Sequence, residues 1–388
     1  MTFQDPGRGG EAGAPPVSAP SSISSPPTAP SLAATPASAA AARASAPASA
    51  APVLSVRDLR VEFATRRGAL KAIDGVSFDV ARGEVLGLVG ESGAGKSVTG
   101  AAIIGLIDPP GRIAGGEIRL AGERIDNLPP EAMRRVRGKR IGMVFQDPLT
   151  SLNPLYRVGE QLVETIQTHS SLSASAARKR AIDLLAEVGI PAPERRIDGY
   201  PHEFSGGMRQ RVVIALALCA EPELVIADEP TTALDVSVQA QIIQVLKRLT
   251  RERGTAVILV THDMGVIAET ADRVAVMYAG RIAEIGPVRD VVKNPLHPYA
   301  VGLMGAIPSL DDAHADRLTQ IPGSMPRLTA IPRGCPFNTR CPHAFARCFI
   351  ERPDPMRVGA HDVACWLHEG PVAVVPGGSA PALAGAAA

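Results

Sequence analysis

The chain has 388 residues, and its 40 lysines and arginines against 39 aspartates and glutamates give a net charge of +1. This length allows two or three domains with a buried core, and the near-zero charge gives no global field favouring nucleic acid, so we expect no nucleic-acid partner. Because no apolar run approaches the roughly 18–20 residues that a membrane helix needs, the chain is not expected to cross a membrane by itself.

Both ends of the chain have a biased composition. Residues 1–52 are almost entirely alanine, proline, serine, glycine and threonine, and residues 371–388 are similar. Such segments cannot bury enough apolar surface to offset the entropy of ordering them, so we predict that both are disordered. The first segment also lacks the basic start and apolar core of a secretory signal.

Alternating apolar residues follow from Val53. They predict half-buried strands at 54–56, 59–63 and 76–80, and the continuous apolar run 85–89 predicts a buried strand. An apolar stretch rich in alanine and isoleucine, 98–107, predicts a helix shortly afterwards.

Between that strand and that helix lies the most informative motif of the chain. Residues 90–97 read Gly-Glu-Ser-Gly-Ala-Gly-Lys-Ser, a complete G-x-x-x-x-G-K-[ST] phosphate-binding loop in a strand–loop–helix context. The glycines allow backbone N–H groups to converge on phosphate oxygens, and the following helix offers its positive N-terminus. Lys96 is expected to reach the β- and γ-phosphates, and the Ser97 hydroxyl to coordinate Mg²⁺. The predicted nucleotide contacts are Gly90, Glu91, Ser92, Gly93, Ala94, Gly95, Lys96, Ser97 and Val98.

Helices and buried strands alternate after the loop. Helical spacing of apolar residues predicts helices at 178–188 and 238–249, and continuous apolar runs predict parallel strands at 224–227 and 256–260. A final hairpin is predicted from 273–278 and 281–285. The pattern indicates an α/β fold with a mostly parallel sheet.

Two acids end the apolar run 224–227. An acid pair at a buried strand end is unfavourable unless a cation is near, and a nucleotide-bound Mg²⁺ supplies one. We therefore expect Asp228 to hold Mg²⁺, and Glu229 to act as the general base that polarises the attacking water.

A second anion cradle precedes a helical run. Ser205, Gly206 and Gly207 stand at its start, where a helix N-terminus attracts anions. Since the chain already has one phosphate loop, this cradle suggests that it completes the site of another subunit.

These motifs, in this order and followed by His262, resemble the ATP-binding subunits of ATP-binding-cassette (ABC) transporters from about Val53 to Gly286. The resemblance implies a P-loop NTPase cassette at 53–290, with a RecA-like core, an antiparallel β subdomain and an α-helical subdomain at about 147–204. It also implies ATP and Mg²⁺ as ligands.

The resemblance assigns further roles to single residues. Gln146 would contact Mg²⁺ and water and take part in catalysis, and His262 would hold the γ-phosphate and orient the water. Ser205 and Gly207 would bind the γ-phosphate held by the facing subunit, and Asp235 would help to join the two sites. Phe63 would stack on adenine, the alternative being an ordinary core residue.

After the cassette, residues 294–299 and the proline-rich stretch to Pro336 resemble the loop-rich C-terminal extension of dipeptide/oligopeptide and nickel importer ATPases, which we place at 291–370. The resemblance implies an ATPase subunit that powers peptide import from the cytoplasmic face of the inner membrane. Its partners would be two membrane permeases, a second ATPase subunit (a related chain or a second copy) and, indirectly, an extracytoplasmic solute-binding protein. The alternatives are import of nickel or another solute, a soluble ABC ATPase outside transport, and a metal-binding module with an inactive cassette.

Four of the five cysteines lie in this extension: Cys335, Cys341, Cys348 and Cys365. Four thiolates suit zinc or an iron–sulfur cluster. The close C-x₂-C pairs of zinc ribbons are missing, and prolines follow the first two cysteines, as in ferredoxin-type runs. The resemblance implies a structural [4Fe–4S] cluster, and we predict one here. The alternatives are a zinc ion, held with help from His343 or His361, and no metal at all.

Overall fold

The computed structural model describes residues 51–66, 68–231, 236–306 and 320–369. The two predicted disordered tails, apart from residues 51 and 52, lie outside these ranges, as does Asp235. None of the helices in these ranges combines the length and the apolar character needed to cross a lipid bilayer.

A small antiparallel sheet opens the described chain. Its strands are β1 (Leu54–Thr65), β2 (Gly68–Val80), β4 (Gly111–Leu120) and β5 (Glu123–Arg124), in the order β2-β1-β4-β5. The predicted strands at 54–56 and 59–63 form one long strand, β1, because a register shift between Val56 and Leu59 keeps both halves paired with β2.

A second sheet of eight strands carries the functional groups. It contains β3 (Val85–Val89), β6 (Ile141–Val144), β7 (Leu224–Asp228), β8 (Ala256–Val260), β9 (Arg273–Tyr278), β10 (Arg281–Pro287), β11 (Met356–Val358) and β12 (His361–Val363). The order is β11-β12-β10-β9-β3-β8-β7-β6, and the five strands from β9 to β6 are parallel. Because β3, β7 and β8 are buried along their whole length, their sequences are continuous apolar runs, as predicted.

Helices cover the sheet and follow the phosphate loop. They are α1 (Lys96–Ile103), α2 (Pro130–Val136), α3 (Pro148–Ser151), α4 (Val158–His169), α5 (Ala174–Glu187), α6 (Pro193–Arg196), α7 (Gly206–Leu218), α8 (Val236–Arg253), α9 (Met264–Thr270), α10 (Val288–Lys293), α11 (Pro298–Gly305) and α12 (Ala346–Ile350), with 3₁₀ turns at Pro201–Glu203 and Trp366–His368. Helix α1 ends four residues before the predicted limit of 107, because Gly105 adopts a left-handed conformation that a helix cannot continue.

The C-terminal extension is built onto the cassette's own sheet. Strand β12 pairs antiparallel with β10, and β11 pairs with β12. The carboxylate of the fully buried Glu284 on β10 accepts hydrogen bonds from the backbone N–H groups of Leu296 and His297. The Nδ1 atom of His361 lies 2.6 Å from the same carboxylate. The sheet therefore continues from the cassette into the extension.

The topology brings three strand ends to one edge. β3 ends at the phosphate loop, β7 ends at Asp228, and β8 ends two residues before His262. The carboxyl ends of parallel strands form the ligand-binding edge of an open α/β sheet, so this edge is where the candidate site is expected.

Candidate functional site

The backbone of the phosphate loop has conformations that require glycine. Gly90 and Gly95 have φ of 150° and 105°, in the region that L-residues avoid. A Cβ at Gly90 would lie 2.3 Å from the Met277 carbonyl oxygen, and one at Gly95 would lie 2.7 Å from Ile73 Cδ1. Gly95 is also the N-cap of α1 and has no side chain to cap the helix, so the first N–H groups of α1 stay open to a ligand.

Lys96 is folded into this loop. Its Nζ donates hydrogen bonds to the carbonyl oxygens of Gly90 (2.8 Å) and Glu91 (3.1 Å), and the residue is 6% exposed. Burial lowers the pKa of Lys96, against the fields of Glu229 and Asp228. Among the described residues the ammonium has no ion-pair partner, so it is a buried cation aimed into an anion-binding loop.

Asp228 lies across from Ser97 at the end of β7. The Ser97 hydroxyl donates to Asp228 Oδ1 over 3.0 Å, and Asp228 is 8% exposed. Burial raises the pKa of this carboxyl; the Ser97 hydrogen bond opposes the rise and the charge of Glu229 adds to it. A carboxylate in this position is unfavourable by itself and would be stabilised by a cation.

Three predicted catalytic side chains meet next to this pair. Gln146 Nε2 donates to Glu229 Oε2 over 3.0 Å, and His262 Nδ1 lies 3.2 Å from Glu229 Oε1. Glu229 has φ of 46°, and its N–H donates to the Val260 carbonyl over 2.8 Å. This left-handed conformation is uncommon for glutamate, and such conformations cluster at functional sites. The carboxylate of Glu229 is thus held between an amide and an imidazole.

The second predicted cradle lies at the start of α7. Ser205 caps this helix by accepting the N–H of Met208. None of the hydrogen bonds among the described residues joins this motif to the phosphate loop, and its role in another subunit's site stays a prediction. A Cβ on Gly207 would lie 2.5 Å from Val238 Cγ1, so a larger residue would not fit there.

Phe63 is half-buried on β1 and packs against the apolar core shared by the two sheets. Val98, on α1, is also half-buried and packs against the same core. Both therefore contribute to packing, and the geometry leaves the adenine role of Phe63 a prediction.

Sequence reasoning missed two residues of the extension that contact the phosphate loop. The Tyr299 hydroxyl accepts the Glu91 N–H over 2.8 Å, and Arg340 Nη1 lies 2.9 Å from Glu91 Oε1. Tyr299 belongs to the stretch 294–299, which was recognised only as a mark of the extension. Arg340 precedes Cys341, and no local pattern connects it with a loop 249 residues away.

The predicted iron–sulfur cluster is wrong. The four cysteines do line one small cavity of about 20 Å³, yet no group of three or more His, Cys, Asp or Glu side chains among the described residues is arranged to hold a metal ion, and zinc is therefore not supported either. Burial raises the pKa of Cys335 to about 12 and that of Cys365 to about 11. The four cysteines of the extension thus lie together as small apolar groups.

Cys219, the fifth cysteine, is buried in the apolar core, where burial raises its pKa to about 11.

Comparisons with known proteins agree with the geometry of the site. A family model described as "ABC transporter" matches residues 73–232, and one described as "Oligopeptide/dipeptide transporter, C-terminal region" matches residues 283–348.

Two curated relatives cover most of the chain. The oligopeptide transport ATP-binding protein OppD of Bacillus subtilis is 51% identical over 317 residues, which are 81% of this chain and 88% of that protein. The dipeptide transport ATP-binding protein DppD of the same organism is 50% identical over 319 residues, 82% of this chain and 95% of that protein. Among solved structures, the dimeric ATP-binding cassette MJ0796, in a post-hydrolysis state with ADP and Pi, is 28% identical with a TM-score of 0.55; the match covers 61% of this chain and 99% of that one.

Proposed function

The chain belongs to the family of ATP-binding subunits of oligopeptide and dipeptide ABC transporters, and on this premise we propose that it hydrolyses ATP to drive the import of di- and oligopeptides. One observation carries the hydrolytic part of the proposal. The carboxylate of Glu229 is held by Gln146 and His262 at the sheet edge where the phosphate loop begins. The names of the two Bacillus relatives support peptides as the cargo.

The phosphate loop binds the nucleotide. Its N–H groups and those of α1 donate to the phosphate oxygens, and Lys96, which uses two of its three N–H donors on the carbonyls of Gly90 and Glu91, offers the third to the β- and γ-phosphates. The phosphates then give the buried ammonium a direct anionic partner.

Ser97 and Asp228 fit a magnesium ion, because the buried Asp228 carboxylate has only a hydroxyl against it. A bound Mg²⁺ would neutralise charge on the phosphates as it develops. Gln146 would be the third residue near the ion, and its amide also contacts Glu229.

Glu229 is the general base of the proposed reaction. Its carboxylate accepts the proton of the attacking water as the oxygen of that water bonds to the γ-phosphorus and the bond to ADP breaks. Gln146 and His262 hold the two carboxylate oxygens in place, so the base keeps its orientation without substrate. We also expect His262 to hold the γ-phosphate.

The second anion cradle, Ser205–Gly207, completes the site of a facing ATPase subunit, either a related chain or a second copy. The relative MJ0796 was solved as a dimer, which supports this arrangement. Asp235 would join the two sites, although it lies outside the described residues.

Two membrane permeases would bind next to Gln146. Phe145, Leu155 and Tyr156 are large, exposed side chains around the start of the helical segment, and Leu155 is 81% exposed. Exposed apolar patches mark interaction surfaces. Contact there would reach Glu229 through Gln146, the neighbour of Phe145, and would place the subunit at the cytoplasmic face of the inner membrane.

The test is peptide uptake into vesicles that contain the two permeases and this subunit, with a solute-binding protein supplying a labelled oligopeptide. Glu229→Gln removes the base and keeps the shape, so ATP should still bind while hydrolysis falls by about 10²–10⁴-fold and uptake stops. Glu269→Gln, an exposed acid on α9, is the matched control and should behave as wild type. Unchanged hydrolysis in Glu229→Gln would contradict the base assignment, and ATP-dependent uptake of nickel in place of peptide would contradict the cargo.

A further inference from the structure

The first peptide bond of the phosphate loop is held from both sides. Its N–H, on Glu91, donates to the Tyr299 hydroxyl over 2.8 Å, and its carbonyl, on Gly90, accepts from Lys96 Nζ over 2.8 Å. A trans peptide points its N–H and its carbonyl in opposite directions. The two hydrogen bonds therefore fix the rotation of this peptide plane, and with it the entrance of the loop.

Tyr299 is rigid enough to act as one side of that clamp. It lies in the first turn of α11 and is fully buried, with its ring 4.7 Å from the Tyr278 ring and 5.4 Å from the Phe337 ring. Burial raises the pKa of its hydroxyl, so the group stays a neutral phenol. The hydroxyl oxygen is thus an acceptor at a fixed point.

Arg340 holds the side chain of the same loop residue. Its Nη1 lies 2.9 and 3.2 Å from the two carboxylate oxygens of Glu91, and its Nε donates to the Pro322 carbonyl over 2.7 Å. The Arg340 side chain is 6% exposed, and its guanidinium lies over the rings of Tyr278 and Phe337. The guanidinium is therefore held in place by the half-buried Glu91 carboxylate, by a backbone carbonyl and by two rings.

The extension presents Arg340 from a tight turn. Arg340 donates its own N–H to the Phe337 carbonyl over 3.0 Å. Asn338 Nδ2 bridges the carbonyls of Arg333 (2.7 Å) and Cys348 (3.1 Å), and the Cys335 N–H donates to the Cys348 carbonyl over 2.8 Å. The guanidinium of Arg340 therefore keeps its position only while this part of the extension is structurally ordered.

The charge of Glu91 gives this contact its consequence. A carboxylate within a loop that receives a polyphosphate repels its ligand, and at such short range the repulsion is substantial even in a partly solvated site. The guanidinium of Arg340 neutralises that carboxylate. Without it, the uncompensated carboxylate of Glu91 would offset the positive charge that Lys96 presents to the phosphates.

We propose that Tyr299 and Arg340 of the C-terminal extension are positioning residues for the phosphate loop: Tyr299 fixes the Gly90–Glu91 peptide, Arg340 neutralises Glu91, and an ordered extension is thereby required for tight binding of ATP. The inference rests on the proposed ATP site and is independent of the transported solute. It makes the extension a regulatory element, since any partner that displaces the turn around Arg340 lowers the affinity for nucleotide.

The experiment measures the binding of the slowly hydrolysed analogue ATPγS, with Mg²⁺, to the full chain by titration calorimetry. Arg340→Gln should weaken binding by about tenfold because it leaves Glu91 uncompensated. The double variant with Glu91→Gln should recover most of that loss, since it removes the repelling charge as well. Arg340→Lys, which keeps the charge, should lose less than Arg340→Gln. A purely structural role of Arg340 would not give recovery by a second substitution.

Tyr299→Phe tests the second contact without disturbing the packing. It keeps the ring against Tyr278 and Phe337 and removes only the oxygen, so binding should weaken by roughly threefold to tenfold, the value of one neutral hydrogen bond. Arg357→Gln is the matched control in the same extension, because Arg357 pairs with the exposed Asp362 on β11–β12 and should leave binding unchanged.

Lys96→Met separates this inference from the proposed function. If Lys96→Met loses binding while Arg340→Gln and Tyr299→Phe bind as wild type, the positioning role is wrong and the ATP site stands. If Lys96→Met binds as wild type, both are wrong. Failure of Glu91→Gln to restore binding in the Arg340→Gln background would overturn the charge argument.

Discussion

The nucleotide edge of the sheet and the C-terminal extension both bury charged groups, but they balance them differently. At the edge, Lys96 and Asp228 are almost fully buried, and neither has an ion-pair partner among the described residues. In the extension, Arg340 meets Glu91, and Glu284 receives two backbone N–H groups and lies against His361. The charges at the edge are unmatched in the sense that neither forms a direct ion pair. Those of the extension are matched by an ion pair or by backbone N–H groups.

This difference indicates what each region is for. Folding alone would not favour a buried lysine with a lowered pKa beside a buried aspartate with a raised pKa, and such perturbed pairs cluster where a ligand supplies the missing charge. Matched buried charges instead fix one arrangement of the chain. The edge is built for a ligand, and the extension is built to hold its shape against that edge.

The comparison predicts the largest loss of stability where the charges are matched. Glu284→Ala leaves two buried N–H groups and His361 without their acceptor, so the free energy of unfolding should fall by about 3–5 kcal/mol. Urea denaturation measures it. Asp362 follows His361 on β12 and forms an exposed ion pair with Arg357. Asp362→Asn breaks only that pair and should lower the free energy of unfolding by less than about 1 kcal/mol. Equal losses in the two variants would contradict the comparison.

A second prediction concerns the unmatched side. Lys96→Met should weaken ATP binding by about 100-fold, because the β- and γ-phosphates lose their buried cation. Without nucleotide the same variant should be about as stable as wild type, since removal of a buried ammonium offsets the loss of its hydrogen bonds to the carbonyls of Gly90 and Glu91. Titration calorimetry measures the affinity for ATP, and thermal unfolding measures the stability without nucleotide. A variant that is destabilised without nucleotide would show that Lys96 has a structural role.

The elements that sequence predicts well are those whose signal is local. The phosphate loop 90–97, the buried runs of β7 and β8, and the hairpin of β9 and β10 all carry such signals, and the structure has them. The meeting of Glu229 with Gln146 and His262 joins positions 83 and 33 residues apart, so spacing could not predict it and only the family resemblance brought these residues together.

Other features had no local signal or a misleading one. β11 and β12 have three residues each, too few for a periodicity, and they exist because β10 offers an edge to pair with. Arg340 contacts Glu91 across 249 residues. The cysteine count suggested a metal, although the arrangement of the side chains among the described residues, which spacing does not reveal, decides against it.

A third prediction follows from the raised pKa of Asp228. The folded protein holds this proton more tightly than the unfolded chain, whose carboxyl has a pKa near 3.8. The stability from this group is therefore present at pH values below 3.8 and is lost as the pH rises through the higher, folded pKa. Asp228→Asn does not titrate, so without nucleotide its advantage in melting temperature over wild type should grow as the pH rises from 4.5 to 7.5. Asp183→Asn, at an exposed position of α5, should show no such trend.

The most direct test of the unmatched-charge account is the melting temperature of wild type and Asp228→Asn at pH 7.5, each with and without Mg²⁺ and ATPγS. Without nucleotide, the account predicts that Asp228→Asn melts higher than wild type, because it lacks the buried, unpaired carboxylate. With Mg²⁺ and nucleotide the order should reverse, since wild type gains a cation at Asp228 and the variant cannot. If Asp228→Asn melts lower than wild type in both conditions, the carboxylate is stabilised by the fold itself and the account is wrong.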